Sequence, residues 1–161
     1  MGAARPTELV DPKTGEVHHF PTPPVPYAFQ GSHAQVDKER VEAITESTAF
    51  TPAEKFFVLW WIGASPAGME PLHLTGADIA KRVGMKPDSV GRINRKLARH
   101  RILIKLDTIG NYPLYRISPY IAYHGTGAQQ REAITRFNPP DIPKDKGTGK
   151  TETRKKRGEA A

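Results

Sequence analysis

Apolar and polar positions follow a helical period between residues 34 and 48. Val36, Val41 and Ile44 stand there among charged residues. This spacing is typical of an amphipathic helix that lies with one face on a core. The pattern predicts a helix over this segment.

A second helix has a clear start. Thr51 is suited to be its N-cap, Pro52 its first helical residue, and Glu54 the acid that completes a capping box. From Phe56 to Ile62 the sequence is apolar around the whole circumference of the helix. Such a helix has to be covered on all sides, either inside the domain or partly by a second subunit, so we expect its aromatic residues to be buried.

Two shorter helices are predicted next, from Gly76 to Val83 and from Pro87 to His100. Thr75 can cap the first of them through its hydroxyl group. Gly84 can adopt the left-handed backbone conformation that ends one helix and turns the chain sharply into another. We therefore expect a helical hairpin with a tight turn.

A β-hairpin is predicted after these helices. Ile102 to Leu106 and Leu114 to Ile117 have strand character, with Gly110-Asn111 as the turn, and a short helix follows from about Ala128 to Phe137. Helix, helix, turn, helix and hairpin is the order of a winged helix-turn-helix. The predicted fold class is mainly α with a small β wing, as a winged helix-turn-helix domain over residues 34–138.

The two ends of the chain carry different signals. Residues 1–33 predict a flexible, disordered arm, in which Asp11 to Gly15 can close a small hairpin and residues 20–26 form an extended proline-rich stretch. Residues 139–161 are rich in Lys, Gly, Thr and Arg and cannot bury enough apolar surface to order themselves. We expect a disordered basic tail there.

The composition excludes several classes of site. The 161 residues include no cysteine, which leaves neither a disulfide framework nor a thiolate metal site. The adjacent His18-His19 has no ligand spacing, and Gly147 to Thr151 lacks the first glycine of a phosphate-binding loop. No nucleophile stands beside a plausible base. We expect a protein that is not an enzyme and that uses no metal or cofactor.

The longest apolar run, Phe56 to Ile62, is far shorter than the roughly 20 residues that span a bilayer. The N-terminus also lacks the pattern of a signal peptide. These features predict a soluble cytoplasmic protein without a membrane partner.

Positive charge is concentrated in one part of the chain. The formal net charge is +7, and residues 74–117 hold ten Lys and Arg against three Asp and Glu. A polyanion is the natural partner of such a block, because neutralised phosphates release counterions. The alternative is a solvated basic surface that only aids solubility.

The helix predicted from Pro87 combines an anchoring face with a basic face. At 100° per residue, Val90, Ile93 and Leu97 point toward a core. The opposite side carries Asp88, Arg92, Arg95 and Arg99. Arginine can bind guanine O6 and N7 in a bidentate fork, as recognition in a DNA major groove requires. An ordinary amphipathic helix with a solvated face is the alternative, although surface helices usually mix both signs of charge.

Candidate DNA contacts follow from this placement. Those on the helix are Lys86, Asp88, Ser89, Arg92, Arg95, Lys96 and Arg99. Those on the hairpin, where a wing meets backbone phosphates or the minor groove, are Lys105, Asn111, Tyr112 and Arg116. The hairpin residues could equally be ordinary exposed strand residues.

With these residues in place, the chain resembles the plasmid replication and maintenance proteins of the RepL type, which carry a winged helix of the broad MarR-like sort. The similar segments are, in order, Val10 to Val17, the apolar helix Thr51 to Ile62, the helix-turn-helix Ile79 to Leu103, and Tyr115 to Gly125. They cover roughly residues 9 to 126, with Ser118 where the family usually has Asn. The resemblance implies a role in initiating or maintaining replication of an extrachromosomal element by binding an origin.

The sequence leaves three functions open. The first is a replication initiator that binds double-stranded origin DNA and recruits host replication proteins. The second is a transcriptional repressor or activator that binds an operator with the same fold, and the third is a protein-interaction module whose basic surface is incidental. We also expect a homodimer, from the apolar helix Phe56 to Ile62 and a leftover apolar stripe of Ala133, Ile134 and Phe137.

Overall fold

The computed structural model of the chain describes residues 8–19 and 28–144. The described residues fall into two compact units that divide between His33 and Ala34. Our expectations for residues 1–7, for the proline-rich stretch and for the tail from 145 onward lie outside the described residues.

The first unit contains the small hairpin that the turn sequence predicts. Strand β1 (Glu8–Val10) pairs antiparallel with strand β2 (Val17–His19). In the connection, Asp11 Oδ1 accepts a hydrogen bond from the Lys13 amide at 2.8 Å, and Gly15 has a φ of +71°. A short side-chain acceptor and a residue that tolerates positive φ are what such a turn needs.

The second unit contains, within residues 34–144, five helices and two short antiparallel strand pairs, β3 with β6 and β4 with β5. In chain order its elements are β3 (Gln35–Val36), α1 (Lys38–Glu46), α2 (Pro52–Ala64), α3 (Gly76–Val83), α4 (Pro87–Arg99), β4 (Leu103–Ile109), β5 (Tyr112–Ile117), β6 (Ala122–Tyr123) and α5 (Gly127–Ile134). The unit is therefore mainly α with a small β part.

Helix α1 is shorter than the predicted segment 34–48. Residues 35–36 form strand β3 and pair with β6, which removes them from the helix. Asp37 then caps α1, because its Oδ1 accepts a hydrogen bond from the Arg40 amide at 3.1 Å. A two-residue strand is too short to show a period of its own, so the helical spacing of the apolar residues concealed it.

Helix α2 begins as predicted. Glu54 Oε2 accepts a hydrogen bond from the Thr51 amide at 2.9 Å, and Thr51 Oγ1 accepts one from the Glu54 amide at 3.3 Å. The expected cover on all sides is wrong for a single chain. Trp61 is 1% exposed, but Phe56 and Leu59 are 49% and 65% exposed. One face of α2 packs on the core, and an apolar strip of the helix stays uncovered.

The core gathers side chains from nearly every element of the second unit. Its largest buried members include Ile44, Phe57, Trp61, Ile79, Val90, Leu97, Leu103 and Ile117. Burial of one such side chain contributes about 1.5–3 kcal/mol to folding. Helix α4 contacts α2, α3 and β4, so its position is fixed from three directions.

The end of α5 corrects one basis for the expected homodimer. The helix ends at Ile134, earlier than predicted. Ala133 is buried, and Ile134 and Phe137 are half-buried. The Tyr120 hydroxyl lies 3.1 Å from the carbonyl oxygens of both Ile134 and Phe137. These contacts attach the end of α5 to the segment between β5 and β6. The apolar stripe is therefore largely used inside the chain.

The predicted start of the disordered tail at residue 139 is also wrong. Residues 139–144 belong to the second unit and form hydrogen bonds with the residues that follow α1 and α4. The Asp141 amide donates a hydrogen bond to the His100 carbonyl oxygen at 2.9 Å, and Ile142 packs half-buried against the core. The composition predicted disorder because polar residues dominate this part of the sequence. Residues 139–144 are instead held by main-chain hydrogen bonds and by the apolar side chain of Ile142, and neither depends on the polar side chains.

Candidate nucleic-acid interface

The turn between α3 and α4 determines how α4 is presented. Gly84 ends α3 in the left-handed conformation, with a φ of +69°, and the Met85 amide donates a hydrogen bond to the Ala80 carbonyl oxygen at 3.0 Å. Lys86 is the N-cap of α4, and Pro87 is its first helical residue. Glycine adopts this conformation without a steric penalty, and proline loses no hydrogen bond at a first helical position.

Helix α4 divides its side chains as the periodicity predicts. Val90, Ile93 and Leu97 are at most 3% exposed and anchor the helix. The exposed residues at its start and along its outer side are Lys86, Asp88, Arg92, Arg95 and Arg99. Ser89 is half-buried beside them. The basic side of α4 thus lies on the surface of the unit.

The arginine row, which consists of Arg92, Arg95 and Arg99, carries positive charges that no acidic side chain of the described residues pairs with. None of the three forms an ion pair with residues 8–19 or 28–144. Together with Ala98 and Tyr115 they line a surface groove of about 610 Å³. The groove therefore presents guanidinium groups to whatever enters it.

Lys96 belongs to the interior contacts of α4, which corrects its prediction as a DNA contact. Its Nζ lies 2.7 Å from Glu54 Oε2 and 2.7 Å from the Ala49 carbonyl oxygen. Partial burial acts to raise the pKa of Glu54. The hydrogen bonds from Lys96 and from the Thr51 amide, with the charges of Lys96 and Arg92, outweigh that effect and leave the pKa below its usual value.

Arg116 is not a surface residue of the hairpin, so its prediction as a DNA contact is wrong. It is 1% exposed, and its guanidinium group donates hydrogen bonds to the carbonyl oxygens of Ile117, at 3.2 Å, and of Gly68. Burial lowers the pKa of Arg116, and the nearby Tyr123 opposes this shift. In a strand with one solvent-exposed face this position would be exposed, but the loop around Gly68 covers it. The guanidinium group holds that loop to β5.

The rest of the hairpin is exposed as predicted. Lys105, Asn111 and Tyr112 all lie on the surface. The strands are longer than expected, because Ile109 still pairs with Tyr112 and only two residues form the connection. Gly110 comes first in it, with a φ of +59°, as in type II′ hairpin turns. The tip therefore projects two exposed side chains, Ile109 and Tyr112.

Sequence reasoning missed two residues beside the arginine row. Asn94 is 4% exposed, and its Oδ1 accepts a hydrogen bond from Trp61 Nε1 at 3.1 Å. Tyr115 is 7% exposed and packs edge-on against Trp61. Burial raises the pKa of the Tyr115 hydroxyl, and the charge of Arg95 opposes this shift. The available signal was the position of Asn94, four residues after Val90 on the apolar face, where a polar side chain needs a partner.

Neither a metal centre nor a membrane span is found in residues 8–19 and 28–144. No three side chains of His, Asp or Glu come together there in a way that could hold a metal ion. No helix in this part of the chain is both long enough and apolar enough to cross a membrane.

Comparison with known proteins identifies no relative. No protein-family model, no curated protein and no solved structure matches the chain significantly. The resemblance to RepL-type proteins therefore stays a prediction, and the interface is interpreted from its own geometry.

Proposed function

We propose that residues 34–144 form a winged helix-turn-helix that binds double-stranded DNA and is not an enzyme. Helix α4 is the recognition helix, and the β4–β5 hairpin is the wing. The observation that carries the proposal is the arginine row, because its three side chains are exposed and have no carboxylate partner within the described residues. Exposed guanidinium groups along one side of an anchored helix are suited to a polyanionic duplex.

The dimensions and chemistry of α4 fit a major groove. Such a groove is about 12 Å wide and admits one helix. An arginine that forms a bidentate pair with guanine O6 and N7 contributes about 1–3 kcal/mol of discrimination against the wrong base. Ser89 and Lys86 stand at the start of the helix, where hydrogen bonds to phosphate fix its register.

The wing supplies the second set of contacts. Lys105, Asn111 and Tyr112 are exposed on the hairpin, where they can meet phosphates or the minor groove. Lys96 and Arg116 have no place in this interface, because both are engaged inside the chain. The proposed contact set therefore has nine members: Lys86, Asp88, Ser89, Arg92, Arg95, Arg99, Lys105, Asn111 and Tyr112.

For the biological role, we propose replication initiation or maintenance of an extrachromosomal element, at an origin and with host replication proteins as partners. The support is the resemblance of four segments to RepL-type proteins. A transcriptional regulator that binds an operator would use the same surface. The location of the bound DNA separates the two roles, because an initiator occupies a plasmid origin and a regulator occupies a promoter.

We further propose that the protein is a homodimer. Its support is the uncovered strip of α2, where Phe56 and Leu59 are exposed. Large apolar side chains that lie together on a surface often mark a protein interface. A two-fold dimer would present two copies of α4 to two half-sites about one helical turn of DNA apart.

The direct test is binding of the full chain to duplex fragments over a series of salt concentrations. We expect log affinity to fall linearly with log salt with a slope of about −4 to −8, which corresponds to several neutralised phosphates. An affinity that does not change with salt would exclude both DNA-binding roles.

Recovery of bound plasmid and chromosomal fragments from cells then gives the location of the site. Loss of plasmid copy number in the double variant Arg92→Ala/Arg95→Ala is expected for an initiator, whereas unchanged copy number with altered promoter output would favour a regulator.

A further inference from the structure

A cavity of about 500 Å³ lies between the start of α3, the first half of α4 and strand β5. Its buried lining includes Trp61 and Asn94, and its exposed lining includes Asp88, Arg95 and Tyr112. The volume is within the range of about 300–1,000 Å³ that small-molecule sites occupy. The cavity therefore has a closed floor and a charged, aromatic rim.

Asn94 brings an unused hydrogen-bond donor to the lining of this cavity. Its Oδ1 accepts the hydrogen bond from Trp61 Nε1, and an indole nitrogen can only donate, so the orientation of the amide is fixed. The Nδ2 group has no hydrogen-bond partner within residues 8–19 and 28–144. No fully buried polar side-chain atom in that part of the chain lacks a partner, so Nδ2 keeps some accessible surface, and we assign that surface to the cavity because Asn94 lines it.

Other polar groups of the cavity complement this donor. The Tyr115 hydroxyl has no hydrogen-bond partner among the described residues, and Tyr115 is part of the same lining. The carboxylate of Asp88 is an acceptor only, and the guanidinium group of Arg95 is a donor only. A ligand that suits the cavity therefore has both donors and acceptors on its edge and a flat body that can lie on an aromatic ring.

The cavity also continues toward the arginine row. Arg95 and Tyr115 line both the cavity and the adjoining groove of Arg92 and Arg99. A ligand whose ring occupied the cavity would place an attached anionic group beside guanidinium groups. The carboxylate of Asp88 at the rim can accept a hydrogen bond from a ring N–H or an amino group, which a simple aromatic acid lacks.

We propose that this cavity receives a single nucleotide, with the base beside Asn94 and Tyr112 and the phosphate at Arg95. A nucleobase has the flat face and the mixed donor and acceptor edge that the lining requires, and stacking on an aromatic side chain is tolerant of base identity. The nucleotide can be a base turned out of a DNA strand, in which case the inference rests on the proposed function and deepens it. It can also be free in solution, in which case the cavity is a nucleotide site in its own right.

The first arm of the test titrates the full chain with each of the four deoxynucleoside monophosphates and follows tryptophan fluorescence, because Trp61 forms part of the floor. We expect saturable binding that Tyr112→Ala and Arg95→Ala each weaken by about tenfold, because the first removes the stacking ring and the second removes the charge beside the phosphate. Both side chains are exposed, so neither change threatens the fold. Ile109→Ala is the matched control, since Ile109 is 51% exposed, pairs with Tyr112 across the hairpin and does not line the cavity.

The second arm uses duplexes that carry one 2-aminopurine, either paired or unpaired. We expect tighter binding and a larger fluorescence change for the unpaired base, and we expect Tyr112→Ala to remove that preference while Ile109→Ala keeps it. A response in the first arm alone assigns a free nucleotide, and a response in the second arm alone assigns a base in DNA.

The two proposals fail separately. Salt-dependent duplex binding with no response in either arm would overturn the nucleotide site and leave the proposed function standing. Absent duplex binding with intact nucleotide binding would overturn the proposed function and leave the site. Equal affinity for benzoate and for the nucleotides would overturn the assignment of the ligand class.

Discussion

Lys96 Nζ lies 2.7 Å from Glu54 Oε2 and joins the first turn of α2 to the last turn of α4. Glu54 also completes the capping box of α2 with Thr51, so one carboxylate both starts a helix and holds another. The side chains of Lys96 and Glu54 are only 26% and 12% exposed. Their contact is therefore better protected from solvent than an ordinary surface ion pair, and it fixes the helix that carries the arginine row.

Glu54→Gln should lower the free energy of unfolding by about 1–2 kcal/mol at neutral pH, because a half-buried ammonium group loses its charged partner. The pKa of Glu54 is lower in the folded chain than its usual value of 4.5. The stabilisation is therefore complete above pH 4.5 and is lost as the pH falls through the folded pKa. Urea denaturation at several pH values should show the gap between wild type and variant closing below pH 4.5.

The matched control for that variant is Glu132→Gln. Glu132 pairs with Arg136 at 2.8 Å, but both side chains are more than half exposed. Exposed pairs contribute little, so the change should cost at most about 0.5 kcal/mol. Equal losses in the two variants would contradict a special role for the pair between α2 and α4.

Arg99→Ala should weaken duplex binding and reduce the magnitude of the salt slope by about 1, as expected when one phosphate contact is removed. Fluorescence anisotropy at four or more salt concentrations measures both quantities. Arg131→Ala serves as the control, because Arg131 is exposed on α5 and not on α4. A slope that falls equally in both variants would indicate a diffuse charge effect instead of contact at α4.

Arg116→Ala should lower the free energy of unfolding by about 2–3 kcal/mol, because the carbonyl oxygens of Gly68 and Ile117 lose a charged donor. Arg116→Lys should also destabilise the protein, since a single ammonium group does not reproduce the guanidinium geometry. Denaturation gives the stability, and the salt slope of duplex binding should stay that of wild type. A reduced slope in the folded Arg116→Lys variant would place the residue in the interface after all.

Ile142→Ala should cost about 1 kcal/mol, because a half-buried apolar side chain leaves the core. Asp141→Ala is expected to be nearly neutral, since Asp141 contacts His100 through its main-chain N–H and C=O groups. Thermal melting compares the two variants. If Asp141→Ala proves the more damaging change, the account of residues 139–144 as a main-chain and apolar contact is wrong.

Phe56→Glu combined with Leu59→Glu should convert a dimer into a folded monomer, because both side chains are exposed and the change places charge on the proposed interface. Light scattering at micromolar concentration measures the mass of both forms. Ile109→Glu, on the exposed tip of the hairpin, should keep the dimer. A monomeric wild type at that concentration would remove the dimer proposal.

The sequence predicted best what local chemistry determines. The capping box at Thr51 and Glu54 and the left-handed Gly84 were each identified from neighbouring residues, and the structure has both. The exposure of the arginine row on α4 was predicted from the helical period alone. These features can be predicted without the rest of the fold, because the residues that form them lie within a few positions of one another in the sequence.

Long-range contacts account for what was missed. Lys96 pairs with a residue 42 positions away, and the Arg116 guanidinium bonds a carbonyl 48 positions away. Nothing near either residue in the sequence marks such a partner, so both were assigned by their charge. The cover over β5 by the loop at Gly68 is likewise a property of tertiary packing, which overrides the alternation of a strand.

Helix α4 is held by apolar packing, by an internal ion pair and by the hydrogen bond between Asn94 and Trp61, so we expect its surface to be ordered already in the free protein. Association with a partner then orders little additional chain and loses little conformational entropy. The heat capacity change on complex formation should accordingly be small, unlike the large negative values of proteins that fold upon their targets. The binding enthalpy should therefore change little with temperature.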